Sequence, residues 1–335
     1  MKKLLAWTVL VAISVAMLVG CAQTPPASTA PSQGAGAASS ESAVSENTGT
    51  EAKFRIGLTT FGLANAYIRV GRDAAIAQAE QENVELLMSV DEDVSKRTAA
   101  IESFITQGAD AIIVHEGDIT QVLPPLQDAK ASNILVCAMN SGFDEIADLV
   151  VEPDNTLLGR TAAEEMVKLM DGKGKIIEIY NDLGAMIKAR KDAMHEVIAD
   201  YPDIEIAGGF VYAWPDYYPD AVAQMEAILQ ANPEPGEIRA VFATFYGVGL
   251  AAAKAIREKG LENDIIVVGI DSDEETYQEM ALPDSPYKVT VMSDAEQLGH
   301  LAIHNLCEIL RGNEIPETHI FVDSEVITSD NIPTA

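Results

Sequence analysis

Short apolar runs alternate with longer stretches of mixed polarity from Phe54 onward. In the first half of the chain, the apolar runs predict strands at Phe54–Leu58, Glu85–Val90, Ala111–Val114 and Leu135–Met139. Between them, apolar residues recur three or four positions apart, which predicts helices near Ala66–Gln81, Val94–Gln107 and Ile119–Ala131. This part of the sequence therefore has the alternation of strand and helix that is typical of βαβ units.

The same alternation returns in the second half of the chain. It predicts strands at Lys175–Tyr180, Ile204–Val211, Ala240–Ala243 and Ile265–Ile270, and helices near Ile187–Ala199, Pro219–Ala231 and Gly247–Lys259. Nearly continuous apolar strands indicate parallel sheets that helices cover on both faces. The pattern predicts an α/β fold with two doubly wound parallel-sheet lobes of four strands each, and a chain of 335 residues is long enough for two domains.

The first residues have a different pattern. Met1-Lys2-Lys3 is basic, Leu4–Val19 is apolar and uncharged, and small residues precede Cys21. This segment resembles a bacterial lipoprotein signal, which implies a signal peptide over 1–20 and a lipidated Cys21 followed by a tether over 21–53, rich in Ala, Ser, Thr, Gly and Pro. An uncleaved anchor helix is the alternative, although the run is short for a membrane span. Either way the chain is exported, and we expect it to be lipid-anchored to the outer face of the cell membrane, extracellular or periplasmic.

Charge and cysteine content narrow the function classes. The chain has 22 Lys and Arg against 52 Asp and Glu, a net charge of −30, which repels phosphate backbones and excludes nucleic acid as a partner. Apart from Cys21 there are only Cys137 and Cys307, which lie in apolar or helical patterns and suggest no disulfide framework. We expect both to be buried free thiols.

The ends of the predicted strands are the places to look for a site. In open parallel sheets, ligands bind beyond the carboxyl ends of the strands. These ends read Thr59-Thr60-Phe61, His115-Glu116, Asn140-Ser141, Asn181-Asp182, Thr244-Phe245-Tyr246 and Asp271-Ser272-Asp273. They supply hydrogen-bonding groups and aromatic rings, with little nucleophile chemistry. We therefore predict a binding protein for a small molecule, without enzymatic activity.

Several sequence pieces share their order and spacing with a known family. They include Ile56-Gly-Leu-Thr-Thr before a helix, Gln107-Gly-Ala-Asp-Ala-Ile-Ile, Pro153-Asp-Asn, Gly159-Arg-Thr-Ala-Ala-Glu, Ile266-Val-Val-Gly-Ile-Asp271 and Thr328-Ser-Asp-Asn-Ile. Over nearly all of the chain from Phe54 to Pro333, the sequence resembles type 1 periplasmic binding proteins of the ribose and galactose branch, the solute-binding lipoproteins of sugar ABC transporters.

The resemblance implies an architecture and a mode of action. The N-terminal lobe is expected over 54–153 plus 294–321 and the C-terminal lobe over 154–293 plus 322–335. Three crossings join them, near Glu152–Asp154, Met292–Asp294 and Phe321–Asp323. A ligand held between the lobes drives hinge closure, and the closed protein delivers it to an ABC permease. The resemblance implies a monomer without cofactor or metal.

Only part of the family's site is matched by this sequence. Asn65 stands where the family has an amide for sugar hydroxyls, and Tyr67 where it has a stacking aromatic residue. Arg190 matches the family's arginine at the start of a second-lobe helix, and Asp271 matches the aspartate that ends a second-lobe strand. The chain departs elsewhere: Asn140-Ser141 replaces an Asp-Arg pair, Phe245-Tyr246 replaces Asn-Asp, and Ser293 replaces a glutamine. The predicted ligand-binding residues are Phe61, Asn65, Tyr67, Asn140, Arg190, Trp214, Phe245, Asp271 and Ser293.

Alternatives to these assignments remain open at this stage. Asp271 could cap a helix, Arg190 could be a solvated helix residue, and the aromatic residues Trp214, Tyr217 and Tyr218 could simply pack a loop. The lost Asp-Arg pair leaves the ligand open between a small sugar, a cyclitol and a nucleoside. Three function classes also stay open: a transport binding protein, which leads, a ligand sensor of the same fold that reports to a membrane receptor, and an exported enzyme.

Two further patterns give weak matches to other functions. Gly247 and Gly249 follow a strand as in a dinucleotide-binding fingerprint, but bulky residues intrude before them. His300 and His304 share a helix face without an evident third metal ligand, so we expect a polar helix face there.

Overall fold

A computed structural model describes residues 53–333, except 64, 182 and 183. All of these residues belong to one compact unit, residues 51–335. The predicted signal peptide, the lipidated Cys21 and the tether as far as residue 52 lie outside the described residues. Within the described part, no helix combines the length and the apolar character needed to cross a membrane.

Strands and helices alternate along most of the described chain. The strands are β1 (Arg55–Thr60), β2 (Glu85–Val90), β3 (Ala111–His115), β4 (Leu135–Met139), β5 (Leu149–Pro153), β6 (Gly174–Tyr180), β7 (Ile204–Val211), β8 (Ile238–Ala243), β9 (Ile266–Ile270), β10 (Tyr287–Ser293), β11 (His319–Val322) and β12 (Ser324–Thr328). The helices are α1 (Ala66–Gln81), α2 (Val94–Thr106), α3 (Leu123–Ala131), α4 (Asn155–Leu169), α5 (Ala185–Ile198), α6 (Tyr217–Ala231), α7 (Tyr246–Glu258), α8 (Glu274–Met280) and α9 (Ala295–Leu310). A short 3₁₀ helix at Ile119–Val122 precedes α3.

The strands form two sheets with matching topology. The order is β11-β5-β4-β3-β1-β2 in one sheet and β12-β10-β9-β8-β6-β7 in the other. The strand pairs of the first sheet are parallel, whereas β12 runs antiparallel to β10 in the second. Corresponding strands occupy corresponding places, so the two lobes repeat one architecture.

The prediction of four strands per lobe was wrong, because each sheet has six strands in the described residues. The unpredicted strands are β5 and β11 in the first sheet and β10 and β12 in the second. Of these, β11 and β12 lie at sheet edges, where one side of the strand stays exposed. Their residues therefore mix exposed and buried positions instead of forming an apolar run. The second sheet is also mixed, whereas the sequence pattern predicted parallel pairing throughout.

Helices cover both faces of each sheet, and the apolar core is correspondingly divided into four layers. In the N-terminal lobe, α1 and α9 pack on one face and α2 and α3 on the other. In the C-terminal lobe, α4 and α5 cover one face and α6 and α7 the other. Cys137 and Cys307 are both buried and unbridged, as predicted.

The described chain passes between the sheets at three places: from β5 into α4, from β10 into α9, and from β11 into β12. Asp154 and Asp294 cap the helices that begin at the first two, each accepting a backbone N–H bond at 2.9 or 2.8 Å. The second and third crossings are joined, because Gln297 Nε2 donates to Asp323 Oδ2 and the backbone N–H of Asp323 donates to Gln297 Oε1. The connecting segments are therefore short and tied to one another.

Gly159 sets the spacing between α4 and α5. A Cβ atom at this position would lie 2.6 Å from the Cα atom of Arg190 in α5, closer than real contacts allow. The close approach of these two helices therefore requires a residue without a side chain.

We expect Gly159→Ala to lower the free energy of unfolding by about 1–3 kcal/mol, because α5 must move outward to admit the methyl group. Gly208→Ala is the matched control in the same lobe: its Cβ would meet only Ile177 Cδ1, at 3.7 Å, and an alanine on this half-buried edge strand should leave stability unchanged or slightly raised. Urea denaturation of both variants measures the difference. Equal stabilities would show that the contact between α4 and α5 adapts freely.

Candidate ligand-binding site

The carboxyl ends of the strands of the two sheets meet where the lobes face each other. Ser293, which ends β10 in the C-terminal lobe, donates a hydrogen bond from Oγ to the hydroxyl of Tyr67 in α1 of the N-terminal lobe, at 3.0 Å. Asn140 and Asp271 follow equivalent strands, β4 and β9, and both have a left-handed backbone, with φ of 49° and 61°. In each case the backbone N–H bonds to the next strand, at Val151 and Val291. The two lobes thus present equivalent polar residues to the space between them.

A buried ion pair lies on the C-terminal side. Arg190 Nη1 donates to Asp271 Oδ2 at 2.7 Å and to the carbonyl oxygen of Thr244 at 3.0 Å, while its Nε donates to Asn155 Oδ1 at 2.8 Å. Arg190 is only 5% exposed, so it is not a solvated helix residue. Asp271 is not a helix cap either, because Asp273 caps α8 through Thr276.

The ion pair keeps hydrogen-bonding capacity for a further partner. Within the described residues, Arg190 Nη2 and Asp271 Oδ1 make no hydrogen bond to the protein. One is a charged donor and the other a charged acceptor, and hydrogen bonds to charged groups are the strong ones. Together they match a hydroxyl group, which can donate and accept at once.

Asn65 and Tyr67 begin α1 on the N-terminal side. Asn65 Oδ1 accepts the backbone N–H of Tyr67 at 2.7 Å and so caps the helix. The amide expected to bind sugar hydroxyls thus also serves as a helix cap through its oxygen. Burial raises the pKa of Tyr67 well above its usual value, with Asp271 and Glu116 adding to the shift. The tyrosine hydroxyl is therefore a neutral group between the two lobes.

Sequence reasoning left Glu116 out of the predicted ligand-binding set, although it recognised this strand end. Glu116 follows β3 with a φ of 60°, is 8% exposed, and accepts a hydrogen bond from Asn140 Nδ2 at 2.7 Å. Burial raises its pKa to about 8, and the nearby Asp271 adds to the shift against the opposing effects of Asn140, Arg190 and Arg97. The carboxyl group thus faces charged groups of both lobes.

Arg97 in α2 was also missed. Its side chain, 1% exposed, donates to the carbonyl oxygens of His115 and Glu116 at 3.3 and 3.0 Å and lies 5.6 Å from the ring of Phe61. Burial lowers the pKa of Arg97 to about 10 and, with Arg97 and Arg72 nearby, that of His115 to about 3. Nothing in the helical pattern of the sequence indicates that Arg97 is buried. Only the tertiary structure shows that its guanidinium group lies against the ring of Phe61.

Aromatic rings cluster after the carboxyl end of β8 in the C-terminal lobe. Trp214 stacks on Tyr217 at 5.5 Å, and Phe245 contacts Tyr217 and Tyr246 at 5.1 and 4.5 Å. Phe245 is buried, whereas Trp214 is 46% exposed. Tyr218 instead lines an outer groove of about 540 Å³ between α6, α7 and α8. The aromatic group predicted from the sequence is therefore divided between two surfaces.

Gly247 and Gly249 serve packing. A Cβ atom on Gly247 would lie 2.7 Å from Phe245, and one on Gly249 would lie 2.7 Å from Tyr287. Aromatic rings therefore occupy the space that a dinucleotide-binding turn would leave for phosphate.

His300 and His304 form a polar helix face, as predicted. Their Nδ1 atoms lie 2.8 and 2.9 Å from Gln78 Oε1 and Glu82 Oε1 of α1. A search of the described part of the chain finds no group of three or more side chains placed to hold a metal ion.

The chain is similar to known proteins over almost all of its described residues. A family model described as a periplasmic binding protein domain matches residues 56–314. The chain is 28% identical over 286 residues to a xylitol-binding protein of Mycolicibacterium smegmatis, covering 84% of this chain and 79% of that protein. It is 25% identical over 329 residues to the ribose import binding protein of Bacillus subtilis, covering 95% and 96%.

A solved structure supports the same likeness. It is an ABC transporter solute binding protein from Agrobacterium vitis with bound allitol, 26% identical to this chain. The two structures superpose with a TM-score of 0.76, over 84% of this chain and 97% of that one.

Burial of Glu116 predicts an unusual dependence of stability on pH. The folded protein retains the Glu116 proton up to about pH 8, whereas the unfolded chain loses it near pH 4.5, so the stability contributed by this group falls as pH rises through that window. Below about pH 6.5 the buried neutral His115 acts in the opposite direction. Between pH 6.5 and 8.5 we therefore expect the wild type to lose about 2 kcal/mol.

Urea denaturation across this pH range is the measurement, and Glu116→Gln should flatten the profile. A profile of equal slope in the variant would mean that Glu116 ionises normally in the folded protein.

Proposed function

The chain belongs to the periplasmic binding protein family, and we propose that it is an extracytoplasmic solute-binding protein that captures a small polyhydroxylated ligand between its lobes and delivers it to an ABC permease. Family membership confirms the resemblance predicted from the sequence, and the two sheets confirm the fold class of two α/β lobes. The protein acts as a monomer and releases its ligand chemically unchanged.

The buried Arg190–Asp271 pair is the observation that carries this proposal. A charge pair is costly to bury unless its hydrogen-bonding capacity is filled, and here one guanidinium nitrogen and one carboxylate oxygen have no partner among the described residues. Ligand hydroxyls complete both groups. The stacked rings of Trp214, Tyr217 and Phe245 supply the apolar surface that the C–H face of a sugar or polyol needs.

Groups from both lobes make ligand binding and closure one event. Tyr67 and Asn140 lie on the N-terminal side, Arg190 and Asp271 on the C-terminal side, and Ser293 joins the two through Tyr67. A ligand that contacts both sides binds the closed form better than the open form and so shifts the equilibrium toward closure. The closed arrangement of the two lobes is then the signal for the permease.

The names of the relatives support a neutral polyol or pentose as a starting point for the ligand search. One is called a xylitol-binding protein, one a ribose import binding protein, and the solved structure holds allitol. These are polyhydroxylated molecules of similar size, although the linear and cyclic ones differ in shape. The panel for this protein therefore includes pentoses, pentitols, hexoses, hexitols and cyclitols.

We expect Arg190→Ala and Asp271→Asn each to weaken binding about 100-fold, because each removes charged hydrogen bonds worth about 1.5–3 kcal/mol apiece. Thermal shift over the panel identifies the ligand, and titration calorimetry measures its Kd. Arg160→Ala is the matched control, since Arg160 pairs with Glu196 on the exposed face of the same lobe at 2.8 Å. Folded variants at positions 190 and 271 that bind as tightly as this control would place the site elsewhere.

Anchoring through Cys21 is a separate part of the proposal, supported by the signal pattern in the sequence. Two acyl chains hold a protein at a membrane stably, whereas one gives only marginal binding. We expect the wild type in the membrane fraction of expressing bacteria and Cys21→Ser outside it. Metabolic labelling with a fatty acid distinguishes the two, and an unlabelled wild type would exclude lipidation. Cys137→Ser is the control, because that thiol is buried in the fold.

A further inference from the structure

Glu116 repeats the backbone arrangement of the two strand-end residues that lie between the lobes. Like Asn140 and Asp271, it directly follows a strand and has a left-handed backbone, with a φ of 60°. Its backbone N–H bonds to the carbonyl oxygen of Met139 on the next strand at 3.0 Å, just as the other two bond to the strands beside them. The same geometry therefore brings a third polar side chain to the edge where the lobes meet.

A buried arginine holds the backbone of Glu116 in this conformation. Arg97 Nη2 donates to the carbonyl oxygens of His115 and Glu116 at 3.3 and 3.0 Å. Gly117 comes next, and a Cβ atom there would lie 2.6 Å from Arg97 Nη1, so the approach of the guanidinium group requires glycine. A left-handed backbone costs free energy in residues other than glycine, and such positions are concentrated at functional sites such as ligand-binding sites. Arg97 therefore fixes the point from which the Glu116 side chain extends.

Only one oxygen of the Glu116 carboxyl group is used within the described protein. Oε1 accepts a hydrogen bond from Asn140 Nδ2 at 2.7 Å, whereas Oε2 makes no hydrogen bond within the described residues. The Glu116 side chain is 10% exposed, against 7% for Arg190 and 13% for Asp271. These three side chains are thus nearly buried to the same degree, and each keeps a polar atom for a further partner.

The charged groups around Glu116 indicate a neutral partner for its second oxygen. Arg190 pairs with Asp271 at 2.7 Å. Arg97 is bonded only to neutral oxygens within the described residues, and its charge acts on Glu116. Two acidic and two basic side chains thus lie together here, and a ligand need not bring a charge of its own. A hydroxyl group suits Glu116 in either protonation state, because it can accept from the acid and donate to the carboxylate.

We propose that Glu116 binds a hydroxyl group of the ligand through Oε2 and so determines which pattern of hydroxyl groups the site accepts. This inference rests on the proposed function and deepens it, because the ligand must then carry hydroxyl groups at two separate positions. One reaches Arg190 Nη2 and Asp271 Oδ1, and the other reaches Glu116 in the opposite lobe. A sugar, polyol or cyclitol that lacks the second hydroxyl group loses this contact.

Deoxy analogues test the contact one hydroxyl group at a time. The parent compounds are the pentoses, pentitols, hexoses, hexitols and cyclitols of the panel, with D-ribose, xylitol, allitol and myo-inositol among them. Each parent that binds is compared by calorimetry with its monodeoxy analogues. We expect Glu116→Ala to weaken binding of the parent about tenfold or more. For the analogue that lacks the hydroxyl group bound by Glu116, the same substitution should change Kd by less than about twofold, because the contact is already missing.

Two further variants separate the contact from a general effect of losing a buried acid. Glu116→Gln keeps the shape of the side chain and a polar atom at each position, so it should bind the parent within about threefold of the wild type. Glu82→Ala is the control, since the Glu82 side chain is 14% exposed and pairs with His304 and Arg311 away from the site. It should leave the Kd of the parent and of every analogue at the wild-type value.

A crystal structure of the wild type with the bound compound tests the same contact without a substitution. Glu116 Oε2 should lie within about 3.2 Å of a ligand hydroxyl oxygen. That hydroxyl group should be the one whose removal abolishes the effect of Glu116→Ala. A bound compound with every oxygen beyond hydrogen-bond distance of Glu116 would overturn the inference, even where the variants fail to fold.

The outcomes separate this inference from the proposed function. An equal loss of affinity for the parent and all of its deoxy analogues in Glu116→Ala would show a structural role and overturn the inference. Unchanged binding in that variant would also overturn it, while a loss of binding in Arg190→Ala would leave the solute-binding function standing. If no sugar, polyol or cyclitol of the panel binds the wild type, the proposed function itself fails, and the role of Glu116 fails with it.

Discussion

In a parallel sheet every strand ends at the same edge, and the site of this protein depends on two such edges facing each other. Equivalent strands bring Asn140 and Asp271 to equivalent places, each with a left-handed backbone. Such conformations cost free energy in residues other than glycine and are found where the surrounding structure holds them. The same two edges carry Glu116, Thr244 and Ser293, so the chemistry of the site is a direct result of strand direction.

The buried ion pair shows how closely packing and binding are linked. Arg190 is held by Asn155 in the neighbouring helix and by the carbonyl group after β8, and α5 can approach α4 only because Gly159 has no side chain. A guanidinium group fixed in this way loses little freedom when a ligand arrives. Rigid positioning of this kind favours affinity. It also favours discrimination between stereoisomers, because a fixed arginine side chain cannot move to reach a hydroxyl group that lies in a different position.

Much of the fold follows from local patterns, whereas much of the site does not. Apolar runs predicted β2, β4 and β7 at their observed bounds. The four missed strands are β5 and β10, which lie inside their sheets, and β11 and β12, edge strands that lack a continuous apolar run. Arg190 and Asp271 were found through resemblance, and only the structure decides that Asp273, two residues later, is the helix cap. The burial of Glu116 and its hydrogen bond from Asn140 depend on tertiary packing, and that information is absent from local sequence.

The three crossings also determine when each lobe can be completed during synthesis. The N-terminal lobe needs α9 and β11, which lie near the end of the chain, and the C-terminal lobe needs β12, which follows them. Until α9 emerges from the ribosome, α1 lacks the partner that buries its apolar face, and β5 lacks a neighbour on one side. Native contacts between segments so far apart form late and slowly. Neither lobe can therefore complete its sheet and its helix layers until the residues after Asp294 have been synthesised.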